Sequence, residues 1–291
     1  MKRVLLTLVG ALVLVGAGAY GALALTARPV PYFRFFDALP QDRAVVIAHR
    51  GGADLWPENT LEAFTGAMAL GADVLEMDVF FSADGIPVVI HDETIDRTTS
   101  GSGAVGSYTV EQLQAFDAAV EHPDLRGSGI YIPTLEEVFA AFPGVPMIVD
   151  AKEPDPALAQ AMIDLVVQYE RVDLTILASF HHDILVYIRQ TDPRIATHLS
   201  EREIVPFLIG SWLFSGHLFS PPAPALLVPP RSGILPVTTR RFITAARGRG
   251  LFIGAWTINE PEQMAALLDR GVHGLVTDRP DLAVSQVQDR R

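Results

Sequence analysis

Two histidines and three carboxylates have the residue types and spacing that proton transfer and cation binding require. Glu76 and Asp78 are separated by one residue in an apolar run, so in a strand both side chains point to the same face. Asp150 ends another apolar run, and His49 and His91 each follow one. Clustered carboxylates repel one another unless a cation lies between them, and hard oxygen donors favour Ca²⁺ or Mg²⁺ over zinc. Because histidine exchanges a proton near neutral pH, these residues predict acid–base chemistry beside a divalent cation.

Eight short apolar runs that alternate with amphipathic stretches must position these residues. We predict strands at residues 45–48, 74–77, 147–149, 175–179, 195–198, 225–228, 252–256 and 274–277. We predict helices at residues 58–70, 134–142, 155–169, 183–191, 238–249 and 261–270, the first opened by Glu58. The alternation indicates an α/β fold, a TIM (β/α)8 barrel, whose active site lies at the carboxyl ends of the strands. A doubly wound sheet is the alternative, because periodicity alone does not show closure.

Two segments interrupt the alternation. Residues 79–133 contain a hairpin pattern around Asp84-Gly85 and then polar sequence rich in Gly, Ser and Thr. This stretch is too long for an ordinary loop, so we expect a small insertion at about residues 92–131, after the second strand and on the catalytic rim. The second interruption runs from Ile204 to Phe219 without Asp, Glu, Lys or Arg. It predicts either a buried helix or a segment that contacts a lipid bilayer or an acyl chain.

The N-terminus predicts attachment to a membrane. Residues 4–25 carry no charge and are long enough to cross a bilayer as one helix, and Lys2 and Arg3 precede them. We therefore expect a single-pass protein with its catalytic domain on the non-cytoplasmic side. A cleaved signal peptide is the alternative, because Ala22-Leu23-Ala24 resembles a cleavage site. The predicted organisation is an anchor at 1–28, an aromatic juxtamembrane segment at 29–43 and a catalytic barrel at 44–291.

Composition excludes several classes of function. The chain has 34 acidic and 22 basic residues, a net charge of −12, and no basic stripe, so nucleic acid is not an expected partner. It contains no cysteine, which excludes disulfides, thiolate metal sites and a cysteine nucleophile. No glycine-rich dinucleotide or P-loop fingerprint is present.

A series of short motifs resembles the glycerophosphodiester phosphodiesterases over about residues 44–285. The motifs, in order, are His49-Arg50-Gly51-Gly52, Pro57-Glu58-Asn59-Thr60, Glu76-Met77-Asp78, His91-Asp92, Arg97-Thr98-Thr99, Ile132-Pro133-Thr134-Leu135-Glu136-Glu137, Asp150-Ala151-Lys152, Ser179-Phe180, Trp256-Thr257-Ile258-Asn259, Gly271-Val272-His273-Gly274 and Thr277-Asp278-Arg279-Pro280. The resemblance implies a TIM barrel with a small insertion after the second strand.

The resemblance also implies a role for each site residue. These roles are metal ligation by Glu76, Asp78 and Asp150, acid–base catalysis by His49 and His91, phosphate binding by Arg50 and Lys152, and a substrate-pocket position for Trp256. The chain departs from the family at Asp150, where Glu is common, and at His273, where Asp is common.

The implied activity is metal-dependent hydrolysis of glycerophosphodiesters to glycerol 3-phosphate and an alcohol. Residues 225–238 resemble a membrane-anchored branch that cleaves lysophospholipids, so lysophospholipase D-like headgroup release is the second expectation. The alternative from another class is a non-catalytic barrel that binds phospholipid or acts as a scaffold.

Overall fold

Eleven strands form the framework of the computed structural model, which describes residue 18, residues 20–22 and residues 24–290. Their bounds are β1 Val45–Ala48, β2 Val74–Phe81, β3 Pro87–Val89, β4 Met147–Ala151, β5 Thr175–Ala178, β6 Ala196–Thr197, β7 Ala225–Val228, β8 Arg231–Ser232, β9 Leu235–Pro236, β10 Phe252–Ala255 and β11 Gly274–Thr277. Eight of these strands are parallel neighbours in the order β6, β5, β4, β2, β1, β11, β10 and β7.

The eight-stranded sheet closes through a short link between β6 and β7. His198, which directly follows β6, forms a parallel bridge with Ala225. The backbone N–H of Leu199 also donates to the carbonyl oxygen of Ala225 at 2.8 Å. Because β6 has only two residues, the barrel is nearly rather than fully closed at this seam. The predicted TIM-type barrel is confirmed, and the alternative of a doubly wound sheet is wrong.

Helices on the outside of the barrel connect successive strands. Numbered from residue 40 onward, they are α1 Leu61–Leu70, α2 Val110–Gln114, α3 Leu135–Ala141, α4 Pro156–Gln168, α5 His182–Thr191, α6 Glu201–Trp212, α7 Arg240–Gly248, α8 Pro261–Arg270 and α9 Pro280–Gln288. Short 3-10 helices lie at Arg34–Ala38, His49–Gly51, Val105–Ser107 and Gly216–Leu218.

The first helix begins later than the sequence pattern predicts. Thr60 is its N-cap, since the hydroxyl accepts from the backbone N–H of Ala63 at 3.2 Å. Asn59 has a left-handed φ of 59°, which ends the preceding loop and excludes Glu58 from the helix. The prediction that Glu58 opens α1 is therefore wrong. The loop position leaves the Glu58 carboxylate free to face the carboxyl ends of the strands.

The hydrophobic core has a part on each side of the barrel wall. One cluster joins outward-facing strand residues such as Val46 to helix residues such as Phe64. The second cluster includes Ile47, Ile148 and Val276 but no residue of the surrounding helices, which places it inside the barrel. Each fully buried large apolar side chain contributes roughly 1.5–3 kcal/mol, so the strand ends above this core are held rigidly.

The segment between β2 and β4 forms an added layer at the carboxyl end of the barrel. The strand β2 continues past Asp78 to Phe81 and pairs with the antiparallel strand β3. A small cluster that includes Phe80, Val88 and Leu113 gives the segment its own core. This packing positions His91, which follows β3 by two residues.

The uncharged stretch from Ile204 to Phe219 is partly buried. Its helix α6 buries Phe207 and Leu208 against the barrel, whereas Leu213 and Phe214 are 70% and 72% exposed. The Phe214 ring packs against the Arg241 guanidinium at 3.8 Å. The predicted buried helix is therefore confirmed for one face of α6, and contact of the exposed apolar side chains with a bilayer or an acyl chain stays a prediction.

The predicted anchor at residues 4–25 lies mostly outside the described residues, which include only 18, 20–22, 24 and 25 of it. Within the described part of the chain, no helix is both long and apolar enough to cross a membrane. The juxtamembrane residues that follow are described. Phe35 and Leu39 are buried in the interior cluster beside Val45 and Val74, the first residues of β1 and β2. The segment 33–39 therefore covers the N-terminal end of the barrel.

Candidate active site

All eight residues predicted for the site line one cavity of about 170 Å³ at the carboxyl ends of the strands. They are His49, Arg50, Glu76, Asp78, His91, Asp150, Lys152 and Trp256. A larger open groove of about 680 Å³ lies at the opposite end of the barrel and contains none of them. The fold therefore brings together the full set of predicted residues.

His49 is held by a carboxylate from the neighbouring strand. β1 and β11 pair with Ala48 opposite Thr277, so the next residues, His49 and Asp278, meet above the sheet. His49 Nδ1 lies 2.6 Å from Asp278 Oδ1, and Asn259 Nδ2 donates to the other carboxylate oxygen at 2.8 Å. Because a carboxylate only accepts, Nδ1 of His49 carries the proton and Nε2 is left for the cavity.

The charges around His49 favour its protonated form. Burial lowers the pKa of the imidazole, but the carboxylates of Glu76 and Asp278 outweigh this effect and raise the pKa above its ordinary value. Burial raises the pKa of Asp278, yet the hydrogen bond from His49 outweighs it and the pKa of that carboxyl is lowered. His49 Nε2 lies 4.0 Å from Glu76 Oε2. The group can hold a proton next to the cavity at neutral pH.

His91 has the same kind of support from its neighbour in the chain. His91 Nδ1 lies 2.6 Å from Asp92 Oδ1, and Arg97 Nε donates to Asp92 Oδ2 at 2.7 Å. The carboxylate again fixes the proton on Nδ1 and leaves Nε2 available. Both candidate acid–base residues are therefore oriented in the same way, each by a carboxylate that is itself held by a second donor.

Arg97 connects His91 to the candidate phosphate-binding residue Arg50. Its Nη1 and Nη2 atoms each donate to Glu58 at 2.8 Å, and Arg50 Nη1 donates to the same carboxylate at 3.1 Å. Burial raises the pKa of Glu58, but the two guanidinium groups outweigh it and hold the pKa below its ordinary value. The chain from Asp92 through Arg97 to Glu58 thus positions His91 and Arg50 relative to one another.

Strand register brings the predicted metal ligands together. β2 and β4 pair with Asp78 opposite Asp150, and Lys152 Nζ bridges them at 2.7 Å and 2.8 Å. Burial raises the pKa of Glu76 to about 7, and burial also raises the pKa of Asp150. Burial acts in the same direction on Asp78, but Lys152 and Arg50 outweigh it and lower the pKa of that carboxyl. Three buried carboxylates therefore face two cationic side chains.

The three carboxylates have the donor chemistry of a divalent cation site. Asp150 Oδ1 is buried and has no hydrogen-bond partner, so one oxygen is free to ligate. Across the part of the chain that the structure describes, no group of three acidic or histidine side chains is already assembled as a metal site, and Lys152 lies between Asp78 and Asp150. The donors fit a hard cation such as Ca²⁺ or Mg²⁺.

The backbone after His49 requires glycine. Arg50 has a left-handed φ of 50°, followed by φ of 82° at Gly51, which turns the chain sharply and lets the Arg50 N–H donate to Glu76 Oε2 at 2.9 Å. A Cβ at Gly51 would lie 2.7 Å from the Ala63 Cβ in α1. The close approach of α1 thus fixes the position of Arg50.

One side of the cavity is apolar. The rings of Phe180 and Trp256 meet edge to face with centroids 6.0 Å apart, and Ile148 and Leu227 line the same side. Phe180 is 69% exposed, and Lys152 Nζ lies 5.4 Å from its ring. We call Phe180 and Trp256 the aromatic wall. A bound phosphate next to Lys152 would therefore have apolar surface beside it for a substituent.

A further histidine, His198, lines the cavity but is held by the backbone. Its Nδ1 is 2.8 Å from the Leu199 carbonyl oxygen, and its Nε2 accepts from the Ser179 N–H at 3.1 Å. Burial lowers the pKa of this imidazole. Both ring nitrogens are thus engaged, and His198 supports the loop rather than transferring protons.

Sequence reasoning assigned no role to five residues that organise the site. These are Glu58, Asp92, Arg97, Phe180 and Asp278. Each occurs in a motif that resembles the family, which was the available signal. Their partners are supplied by strand register and loop packing, which the motifs alone do not specify.

Comparison with known proteins agrees with this geometry. Residues 49–282 match the model of the glycerophosphoryl diester phosphodiesterase family. A glycerophosphodiester phosphodiesterase of Caldanaerobacter subterraneus is 32% identical over 251 residues, which cover 84% of this chain and 98% of that protein. A second one, from Bacillus subtilis, is 29% identical over 279 residues, covering 90% of this chain and 92% of that protein.

Solved structures give the same result. The structure of an Oleispira antarctica phosphodiesterase in complex with the product sn-glycerol-3-phosphate is similar at a TM-score of 0.72 and 26% identity, covering 87% of this chain and 98% of that one. A glycerophosphodiester phosphodiesterase from Agrobacterium tumefaciens is similar at 0.68 and 28% identity, covering 83% of this chain and 99% of that one. The resemblance predicted from the motifs is confirmed: the chain belongs to the glycerophosphoryl diester phosphodiesterase family and is a phosphodiesterase.

Proposed function

We propose that this protein hydrolyses glycerophosphodiesters to glycerol 3-phosphate and an alcohol with the help of a divalent cation. The observation that carries the proposal is the pair of histidines at one cavity, each with Nδ1 bound to a carboxylate and Nε2 left free. Two such groups beside an anion-binding site are what cleavage of a phosphodiester requires, since one proton must be removed and another delivered.

Phosphate binding falls to Arg50 and Lys152. Arg50 offers a planar fork of donors, whereas Lys152 supplies a compact positive charge. Both now contact Asp78, so an incoming phosphate competes with that carboxylate for their N–H groups. Their charge lowers the repulsion between the phosphate and an attacking oxygen.

The two histidines divide the proton transfers. Nε2 of one takes the proton from the attacking hydroxyl or water as its oxygen bonds to phosphorus. Nε2 of the other gives a proton to the alkoxide as its bond to phosphorus breaks, so the alcohol leaves neutral. Hydrogen bonds from Nδ1 to Asp278 and Asp92 stabilise whichever imidazole is positively charged.

Glu76, Asp78 and Asp150 are the residues that would hold a divalent cation. When bound, such an ion would add positive charge at the phosphate oxygens. Asp150 is one methylene shorter than the Glu common in the family, and its unpartnered Oδ1 leaves it able to ligate. Lys152 now contacts both Asp78 and Asp150, so a bound cation would compete with its ammonium group for those carboxylates.

A second candidate is headgroup release from lysophospholipids, which the aromatic wall favours. Phe180 and Trp256 offer apolar surface beside Lys152, where a fatty substituent of the diester can pack. The exposed side chains of α6 do not line the cavity, so an acyl chain bound in the site would meet the aromatic wall rather than the stretch 204–219.

Direct product analysis tests the proposal. The purified protein should release glycerol 3-phosphate from glycerophosphocholine, lose this activity in EDTA and regain it with Ca²⁺ or Mg²⁺. Full activity in chelator would rule out the three-carboxylate site. Turnover of a lysophospholipid in detergent, measured side by side, separates the two substrate classes, and Phe180→Ala should reduce the lipid reaction more than the soluble one.

We also propose attachment to a membrane through residues 4–25, with the barrel on the non-cytoplasmic side. The support is the uncharged run itself and the basic residues Lys2 and Arg3 before it. Membrane fractionation of the full chain, with and without residues 1–27, tests this part. Recovery of the intact chain in the soluble fraction would contradict it.

A further inference from the structure

We propose that the N-terminal end of the barrel faces the lipid bilayer and that the active-site mouth opens away from it into water. It follows that the anchored protein acts on diesters that reach the mouth from the water, and not on a lysolipid embedded in the same membrane. This inference rests on the proposed function and on the proposed membrane attachment, and it adds an orientation that neither contains.

The chain that follows the predicted anchor is bound to the N-terminal end of the barrel. The Arg28 N–H donates to Ser220 Oγ at 3.1 Å, and the Val30 N–H donates to the Arg249 carbonyl oxygen at 2.9 Å. Ser220 precedes β7, and Arg249 precedes β10. In a barrel of parallel strands, the residues that lead into strands lie at the end opposite the active site.

Aromatic packing fixes the next part of the segment at the same end. Phe35 is buried in the barrel interior, and its ring meets that of Phe36 with centroids 5.3 Å apart. Phe36 in turn packs against Phe252, the first residue of β10, at 5.4 Å. Residues 28–39 are thus part of the folded barrel and do not act as a free linker.

Little chain remains between this bound segment and the predicted anchor. Residues 24–26 are helical, and Arg28 already contacts the barrel. The Tyr20 hydroxyl also lies 2.9 Å from His217 Nε2, next to the loop that leads into β7. Only residues 26 and 27 lie between the end of the predicted anchor and Arg28. Two residues span at most about 7 Å, which is too short for the barrel to turn its other end toward the bilayer.

The side chains of this end suit contact with a lipid surface. Tyr32 is 72% exposed and Leu25 is 89% exposed. Arg28 and Arg34 lie in the same segment, and the Arg34 side chain is 73% exposed although its Nη1 lies 3.7 Å from Asp173 Oδ2. Aromatic and basic residues next to an apolar run are typical of the headgroup region, where rings and cations both find partners.

The catalytic groups lie far from that surface. β10 begins at Phe252, and Trp256 directly follows its last residue. Four residues along a tilted strand rise roughly 10 Å along the barrel axis. The layer formed by Arg34–Ala38 packs against Phe252 at the start of that strand and adds about 10 Å, the width of a helix with its side chains. The cavity is thus on the order of 20 Å from a bilayer that touches Tyr32, beyond the reach of a phosphodiester that stays at the membrane surface.

Fluorescence distance measurements test the orientation without relying on activity. The chain has no cysteine, so a single label can be placed at Arg34→Cys near the proposed bilayer face. Its matched partner is Ile234→Cys, which is 85% exposed in the hairpin that follows β7 at the mouth end. With acceptor-labelled lipids in proteoliposomes, energy transfer should be several-fold stronger from position 34. Equal or stronger transfer from position 234 would overturn the proposal.

Activity in the same proteoliposomes tests the consequence for substrate choice. The anchored protein should turn over added glycerophosphocholine at least tenfold faster than a long-chain lysolipid embedded in the vesicle. Inserting about 20 Gly/Ser residues between Ala27 and Arg28 supplies roughly 25 Å of flexible reach. This variant should cleave the embedded lysolipid at least tenfold faster than the native chain, with turnover of the soluble diester unchanged.

The possible failures are distinguishable. Rapid cleavage of embedded lysolipid by the native anchored chain contradicts the orientation, even if the chemistry is as proposed. No turnover of either substrate by the native chain or the linker variant contradicts the proposed function, while the fluorescence comparison still decides which end faces the lipid.

Discussion

Replacing Asp278 by asparagine changes the proton position on His49 without removing a side chain. In the native site both Asp278 oxygens accept, one from His49 Nδ1 at 2.6 Å and the other from Asn259 Nδ2 at 2.8 Å. An asparagine at 278 has only one oxygen. If that oxygen keeps the bond from Asn259, its NH₂ group faces His49 and must donate to Nδ1. The histidine proton then moves to Nε2, and Nδ1 can no longer carry the second proton of the imidazolium form, through which His49 passes whether it gives or takes a proton at Nε2.

The expected loss follows from the role of a single proton-transfer residue. Such a residue contributes about 10²–10⁴-fold to kcat, or about 3–5 kcal/mol in the barrier. Asp278→Asn should lose most of this factor, because the imidazole stays in place but its imidazolium form is no longer stabilised by a carboxylate at Nδ1. In the opposite amide orientation, the NH₂ group of the new asparagine would face the NH₂ group of Asn259. This arrangement loses a hydrogen bond, so the native proton position on His49 is not restored at low cost.

Steady-state release of glycerol 3-phosphate measures the effect, and ¹⁵N NMR of the imidazole reports the tautomer independently. Asp281→Asn is the matched control, because Asp281 is paired with Arg279 at 2.7 Å and does not line the cavity. The control should keep native kcat. If Asp278→Asn remains folded and retains kcat within about threefold of native, the assignment of His49 as a proton-transfer residue oriented by Asp278 is wrong.

Three further changes probe positioning, packing and pH dependence. Arg97→Met removes the guanidinium that links Asp92, the partner of His91, to Glu58, the partner of Arg50. The kcat should fall about 10–100-fold, with partial recovery in Arg97→Lys. Gly51→Ala places a methyl group against α1, so thermal unfolding should show a loss of about 1–3 kcal/mol. Burial lowers the pKa of His273 to about 4. As the pH drops from about 6.5 to 4, the imidazole therefore becomes protonated in the unfolded chain before it does in the folded one. The free energy of unfolding should fall over this range by up to about 3 kcal/mol. His273→Asn should remove that part of the pH dependence, because its amide oxygen can still accept from the Ile253 N–H that now donates to Nδ1.

Each of these three predictions can be contradicted by a specific result. Native turnover in Arg97→Met would show that the link to His91 has no positioning effect. An unchanged unfolding temperature in Gly51→Ala would mean that α1 can move away at no cost. For His273, the denaturant midpoints of the native chain and of His273→Asn are measured at several pH values. If the two midpoints change with pH in parallel, the lowered pKa of His273 is contradicted.

The strand framework could be predicted because each strand is a short apolar run bounded by polar residues. The second strand was predicted to end at residue 77 but continues to Phe81, since Asp78 is a buried carboxylate that no hydrophobic pattern includes. The start of α1 was misplaced for the opposite reason. Glu58 is a good helix residue, but the left-handed turn at Asn59 and the cap at Thr60 override that preference.

The site residues could be predicted as a set, whereas their connections could not. Asp78 and Asp150 meet because β2 and β4 pair in a particular register, and His49 meets Asp278 for the same reason on β1 and β11. Register is decided by packing across the whole barrel, so a motif that contains Asp278 does not reveal its partner. The bridging position of Arg97 depends in the same way on how the insertion folds over the rim.

The central claim is that His49 and His91 are the two proton-transfer groups of a glycerophosphodiester phosphodiesterase. The most direct measurement is glycerol 3-phosphate release by the native chain, by His49→Ala, by His91→Ala and by the double variant, with folding confirmed for each. We expect about 10²–10⁴-fold lower kcat in each single variant and a double variant only slightly worse than either. Near-native turnover in either single variant would contradict the claim.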